Sequence, residues 1–204
     1  MNVRQHQGDL PDDFECGGSI AIDTETIGLN PHRDRLCVVQ LSRGDGTADV
    51  VRIAPGQTRA PRIERLLIDP SVVKLFHYGR FDIAVMRHAF GALAAPVYCT
   101  KIASRIARTY TDRHGLKDLA RELLGVDMNK QQQSSDWGAA NLSDAQLAYA
   151  ASDVLHLHAL RDKLDIMLAR EGRLEIAQAC FGFLPQRALL DLMGWPDIDI
   201  FAHS

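Results

Sequence analysis

Apolar runs bounded by glycines and polar clusters mark three strands in the first quarter of the chain, Ser19 to Asp23, Leu36 to Ser42 and Asp49 to Ile53. The connections Gly28 to Asp34 and Gly44 to Thr47 are short and turn-rich, which predicts an antiparallel meander. Next come a helix at about Ile63 to Ile68, a strand at Val72 to Phe76, a helix at Phe81 to Phe90 and a short strand near Val97. The spacing then turns helical: Lys101 to Arg108, Leu116 to Leu124, Ser143 to about Arg170, and Leu174 to about Leu192. Ser143 followed by Gln146 is a capping-box pattern that fixes the start of the long helix. The amides and hydroxyls from Asn129 to Asp136 make a loop, placed to close over a ligand. No repeat or linker interrupts the chain, so residues 1–204 are expected to form one α/β domain with a helical C-terminal half.

At 46% hydrophobic and 24% charged, the 204 residues are not those of a fibrous or disordered chain. No apolar run approaches the roughly 20 residues of a membrane span, and the polar stretch Met1 to Phe14 cannot serve as a signal peptide. No membrane association is expected, no obligate protein partner is evident, and the expected location is cytoplasmic. Cys16, Cys37, Cys99 and Cys180 are too scattered for a zinc ribbon or a disulfide framework. A net charge of −3 argues against a grip on long nucleic acid, leaving a short one or a local basic patch. Lys101, Arg105 and Arg108, leading into Arg113, His114 and Lys117, are the densest local run of positive charge.

The chemistry lies in the acids. Asp23 and Glu25, two apart at the end of an apolar strand, share a face and make half of a hard-cation site; alone, two solvated acids are the safer reading. Asp82 falls in the first turn of a helix after a strand, where the dipole also favours an acid. Tyr149 and Asp153, four apart, share a helix face, and burying that carboxylate without a partner or metal would be costly.

Asp23-Thr24-Glu25-Thr26, His77-Tyr78-Gly79-Arg80-Phe81-Asp82 and Tyr149-Ala150-Ala151-Ser152-Asp153 resemble, in order and separation, the three motifs of the DEDD exonuclease superfamily. The tyrosine four positions before the last aspartate resembles the branch that includes ribonuclease D. About fifty residues follow Asp153, too few for the added helical RNA-binding domains of ribonuclease D. Nearly the whole chain, including Thr109 to Lys117, Lys130 to Trp137 and Asp199 to Ser204, is similar to the short bacterial nanoRNase C family.

That resemblance implies a ribonuclease H-like exonuclease fold, with a mixed central sheet of antiparallel meander and parallel strands flanked by helices. It implies two divalent cations, Mg²⁺ or Mn²⁺, with Asp23 bridging both, Glu25 and Asp153 completing the water-activating site, and Asp82 acting largely through water. Tyr149 would orient the attacking water, since a tyrosine pKa near 10 makes a poor base, and the rate should climb above neutral pH. Thr24, His77 and Arg80 are expected to touch sugar or phosphate. Leu29 would wedge between terminal bases or, equally, pack on the domain as a loop leucine. Arg113 and His114, with Lys130, Gln133 and Ser135 as weaker candidates, would cap a 5′ phosphate, in cis or from a neighbouring subunit. The apolar tail from Phe181 to Ser204 would pack on its own domain or in a homo-oligomer, an octamer in that family.

The expected function is 3′–5′ hydrolysis of dinucleotides and very short RNA to nucleoside 5′-monophosphates, the last step of RNA decay. Two alternatives stay open: a ribonuclease D-like trimmer of longer RNA or DNA, and a nucleic-acid-binding module without activity.

Overall fold

The computed structural model describes residues 2–128, 132 and 134–203. Its sheet has six strands in the order β1-β4-β3-β2-β5-β6, from β1 (Asn2–Gln7), β2 (Ser19–Thr26), β3 (Leu36–Ser42), β4 (Thr47–Arg52), β5 (Val73–Phe76) and β6 (Val97–Cys99). The expected antiparallel meander is β2-β3-β4, and β5 and β6 add parallel strands on the other side of β2. The α/β class and mixed sheet therefore stand as expected. All seven residues of β3 are buried, so its run of apolar side chains reads as a central strand covered on both faces.

Alternation divides the two faces. Ile20, Ile22, Val39, Leu41 and Val51 join the main core, whereas Val38 and Val50 pack with Trp137, Leu147 and Ala150 on the other side. The helices are α1 (Pro61–Ile68), α2 (Arg80–Phe90), α3 (Thr100–Ala107), α4 (Leu116–Leu119), α5 (Asp144–Leu155), α6 (Leu157–Arg170) and α7 (Leu174–Leu192). Helix α5 lies on β2, β3 and β4; α6 packs on α3, and α7 on α2 and β6.

Four expectations need correction. Strand β1 has one apolar residue, Val3, and mostly exposed positions, so hydrophobic spacing could not reveal it; it forms because its backbone pairs in parallel with β4, and His6 bonds Asp49 at 2.7 Å. Strand β2 runs on to Thr26, so Asp23 lies inside the strand rather than at its end. The single long helix from Ser143 is two, broken at His156: α5 continues the sheet-packing face, while Leu157, Leu160, Leu164 and Leu168 face the helical layer. The segment Leu116 to Leu124 is helical throughout but widens into a π-helical turn over Ala120–Leu124.

Candidate active site

The β2 pleat sends Asp23 and Glu25 to the face that α5 covers, and the cross-strand partner of Asp23 is Gln40 of β3. The start of α5 is held by the expected capping box, with Ser143 and Gln146 bonded reciprocally. One turn further, Tyr149 and Asp153 come onto the same side, and the Tyr149 side chain hydrogen bonds Asp153. Carboxylate oxygens of Asp23, Glu25 and Asp153 all lie within 4.8 Å of one another.

The fourth acid arrives from the opposite face. Strand β5 pairs with β2 only as far as Ala21, and beyond its end the turn 77–79 starts α2. That turn is tight: a Cβ on Gly79 would sit 2.5 Å from the Phe76 Cβ, and Tyr78 takes φ 64°, the left-handed region. Asp82, buried in the first turn of α2, accepts a 2.6 Å hydrogen bond from the Thr24 hydroxyl.

Burial and mutual repulsion set the electrostatics. Burial first, then Asp82, Asp153 and Glu25, holds the Asp23 carboxyl well above its ordinary range. Glu25 is pushed up to about 9 by burial and by Asp153 and Asp82. Burial raises Asp82 to about 7 against hydrogen bonds from Thr24 that pull it down. Tyr149 is raised far above its usual value by burial, then by Asp153 and Glu25, so its hydroxyl keeps its proton near neutral pH. Crowded carboxylates of this kind fit a hard divalent cation, which takes oxygen donors and offsets their repulsion.

The other predicted residues separate. Leu29 is 85% exposed at the tip of a loop pinned from below: Asp34 accepts from the Asn30 backbone and from Arg33, under a Gly28 whose Cβ would lie 2.3 Å from an Asp34 oxygen. Leu29 therefore does not pack on the domain. His77 bonds the Thr100 hydroxyl through Nδ1 at 2.9 Å, and Thr100 in turn donates to the Phe76 carbonyl. Thr24 and Arg80, expected at the substrate, have other partners. The Thr24 hydroxyl proton goes to Asp82, and Arg80 makes two 2.6 Å bonds to Asp191 of α7 and a third to the Pro196 carbonyl. These long-range pairings were beyond sequence spacing.

Arg113 is exposed on a loop built around the fully buried Arg108, which donates to the Arg113 carbonyl, Ser104 and Glu122. His114 bonds Ser104 at 2.8 Å, and burial with the charges of Arg108 and Arg105 lowers its pKa. Ser135 bonds within its own segment, donating to the Gln132 carbonyl and accepting from Gln146. Lys130 and Gln133 lie outside the described residues.

Two residues that sequence reasoning missed stand beside the acids. Gln40, the one amide in Leu-Cys-Val-Val-Gln-Leu-Ser, is fully buried and donates to Asp23 Oδ2 at 2.6 Å. The signal was a polar residue inside an apolar strand. Trp137, at the end of the polar loop, is buried with its ring 6.0 Å from that of Tyr149.

A mixed sheet that gathers acids in this order is the frame of a 3′–5′ exonuclease, and the 3′–5′ exonuclease family profile matches residues 9–169; the chain belongs to that family. Within it, the chain is 61% identical to Brucella melitensis NrnC, a nanoRNase C, whose structure bound to pGG matches with a TM-score of 0.97 over 100% of both chains. NrnC with bound Mg²⁺ matches at 60% identity and a TM-score of 0.96, again over 100% of both chains. Ribonuclease D of Gluconacetobacter diazotrophicus is 40% identical over 156 residues, 76% of this chain; the chain spans about two fifths of that relative, 39% of its length.

Proposed function

We propose that the chain is a two-cation 3′–5′ exoribonuclease that splits dinucleotides and very short RNA into nucleoside 5′-monophosphates. The observation that carries this reading is the convergence of Asp23, Glu25 and Asp153 within 4.8 Å, with Asp82 alongside on Thr24 and Tyr149 bonded to Asp153. Full-length similarity to NrnC, whose complex holds pGG, supports the choice of substrate.

Asp23, Glu25, Asp82 and Asp153 would hold Mg²⁺ or Mn²⁺, which when bound neutralises phosphate charge, activates water and stabilises the leaving oxygen. Water adds to phosphorus as the bond to the 3′ oxygen breaks, and that oxygen takes a proton, releasing a nucleoside 5′-monophosphate. Tyr149, its hydroxyl donating a hydrogen bond to Asp153, presents an oxygen that accepts from the attacking water and so orients it. Leu29, held out on its pinned loop, offers an apolar surface to the terminal bases without reading them. The exposed Arg113 and the His114 imidazole form the cap on the 5′ phosphate. Among the described residues no helix is long and apolar enough to cross a membrane. The 204 residues act as one cytoplasmic exonuclease domain. The exposed Trp195, Ile198, Ile200 and Phe201 of the tail lie in contacts of a homo-oligomer, an octamer by the family resemblance.

The test is hydrolysis of 5′-labelled RNAs from two to about twenty nucleotides, with Mg²⁺, Mn²⁺ or chelator, ranked by kcat/KM. A steep preference for the dinucleotide is expected. Activity flat or rising with length would replace this reading with that of a general 3′ trimming enzyme.

A further inference from the structure

Central strand β3 buries its amide at a position where an apolar residue would cost less. An unbonded buried amide is expensive, so a buried glutamine in a strand of Leu, Cys and Val needs a partner that repays its desolvation. Gln40 has one. Register places it directly opposite Asp23, on the same sheet face, and its Nε2 donates to Asp23 Oδ2 at 2.6 Å. A side-chain hydrogen bond from the same amide also bears on Glu25. Carboxylates ionised by a bound cation would only accept, so the NH₂ end of the amide is the one that suits the loaded site.

The other end of the amide is the second observation. Gln40 Oε1 is buried, and no donor reaches it among the described residues. An acceptor buried beside a carboxylate cluster is suited to a hydrogen bond from water inside the site. The NH₂ end thus fixes the rotamers of two acids that would hold the cations, and the buried carbonyl is left for water.

We propose that Gln40 is a positioning residue of the cation site, locking the carboxylates of Asp23 and Glu25 in their ligating orientation from the adjacent strand. This rests on the cation-binding reading above. Partners that orient metal ligands typically contribute about 10–100-fold to metal affinity or activity. Its bonds go to the acids, so its effect reaches the reaction through the placement of Asp23 and Glu25.

The experiment is calorimetric titration of the full chain with Mn²⁺ and with Mg²⁺, without substrate, comparing wild type, Gln40→Met and Gln40→Asn. Methionine keeps the length and loses the donor; asparagine keeps the amide and loses the reach. Both variants should melt cooperatively in chelator yet bind the cation about 10–100-fold more weakly, and raising Mn²⁺ should restore their kcat. Folded variants with wild-type cation affinity would overturn the proposal, as would a kcat that stays low at saturating Mn²⁺. Should neither variant fold, the Gln40 side-chain amide resonances of wild type decide: they shift on Mg²⁺ addition if the amide holds the ligands, and an unmoved pair refutes it. Wild type that binds no divalent cation would instead bring down the cation-site reading itself, which separates the two failures.

Discussion

Three acids of the cluster have different neighbours, and the neighbours differ in what they permit. Asp23 faces Gln40, Asp82 hangs from Thr24, and Asp153 receives the Tyr149 hydroxyl. Replacing Asp23 or Asp153 by alanine relieves repulsion in a crowded site while leaving Gln40 or Tyr149 without its acceptor, so both variants should stay folded without metal. Their metal-dependent hydrolysis should be abolished; circular dichroism together with a dinucleotide assay checks both halves, and normal turnover in either variant would refute the two-cation assignment. Tyr149→Phe keeps the ring packed on Trp137 and loses only the hydroxyl. Dinucleotide binding should be nearly unchanged while kcat falls about 10²-fold, the lower range for a positioned proton-handling group. An unchanged kcat would make Tyr149 a packing aromatic.

Elements bring these residues together by crossing, not by sequence neighbourhood. Strand β2 supplies two acids to the α5 face and Thr24 to the α2 face, so one strand serves both halves of the cluster. Helix α2 carries Asp82 inward in its first turn while Arg80, two residues earlier, ties the same turn to Asp191 of α7 and the Pro196 carbonyl. Two charge-assisted bonds at a half-buried position make Arg80 a clasp for the C-terminal segment. Arg80→Ala should lower stability by about 1–3 kcal/mol, measured by denaturant unfolding, and leave the KM for dinucleotide essentially unchanged. A large rise in KM with intact stability would return Arg80 to the substrate. The motif that resembles the exonucleases contained both residues, yet its spacing gave no means of separating the one turned to the site from the one turned to the tail.

For the molecule as a whole, raised carboxyl pKa values are a statement about stability. Asp82 at about 7, Glu25 at about 9 and Asp23 well above its ordinary range bind protons in the folded state that the unfolded chain has released above about pH 4. More protons on the folded state means that metal-free stability falls as pH rises, the loss beginning above about pH 4 and running up to the folded pKa values, about 7 for Asp82 and about 9 for Glu25. Thermal melts in chelator should therefore decline from pH 5 to pH 9. Mg²⁺ should restore much of that loss at pH 8, with protons released on binding in a weakly buffered titration. A chelated protein whose melting point is flat across this range would contradict the raised carboxyl pKa values.

The sequence by itself determined the class of fold, the antiparallel meander that carries Asp23 and Glu25, the capping box that sets the phase of α5, and the acids and tyrosine whose spacing resembles the exonuclease motifs. Those features are local: alternation assigns faces on a strand, a 3.6-residue period does so on a helix, and both are written in neighbouring residues. Tertiary structure alone decided the edge strand β1, the break at His156, the outward display of Leu29, the commitments of Arg80 and Thr24, and the pairing of Gln40 with Asp23. Each of these depends on backbone pairing or on contacts between segments far apart in the chain. Such contacts follow from how the whole sheet and its helices close on one another, so no window of sequence contains them.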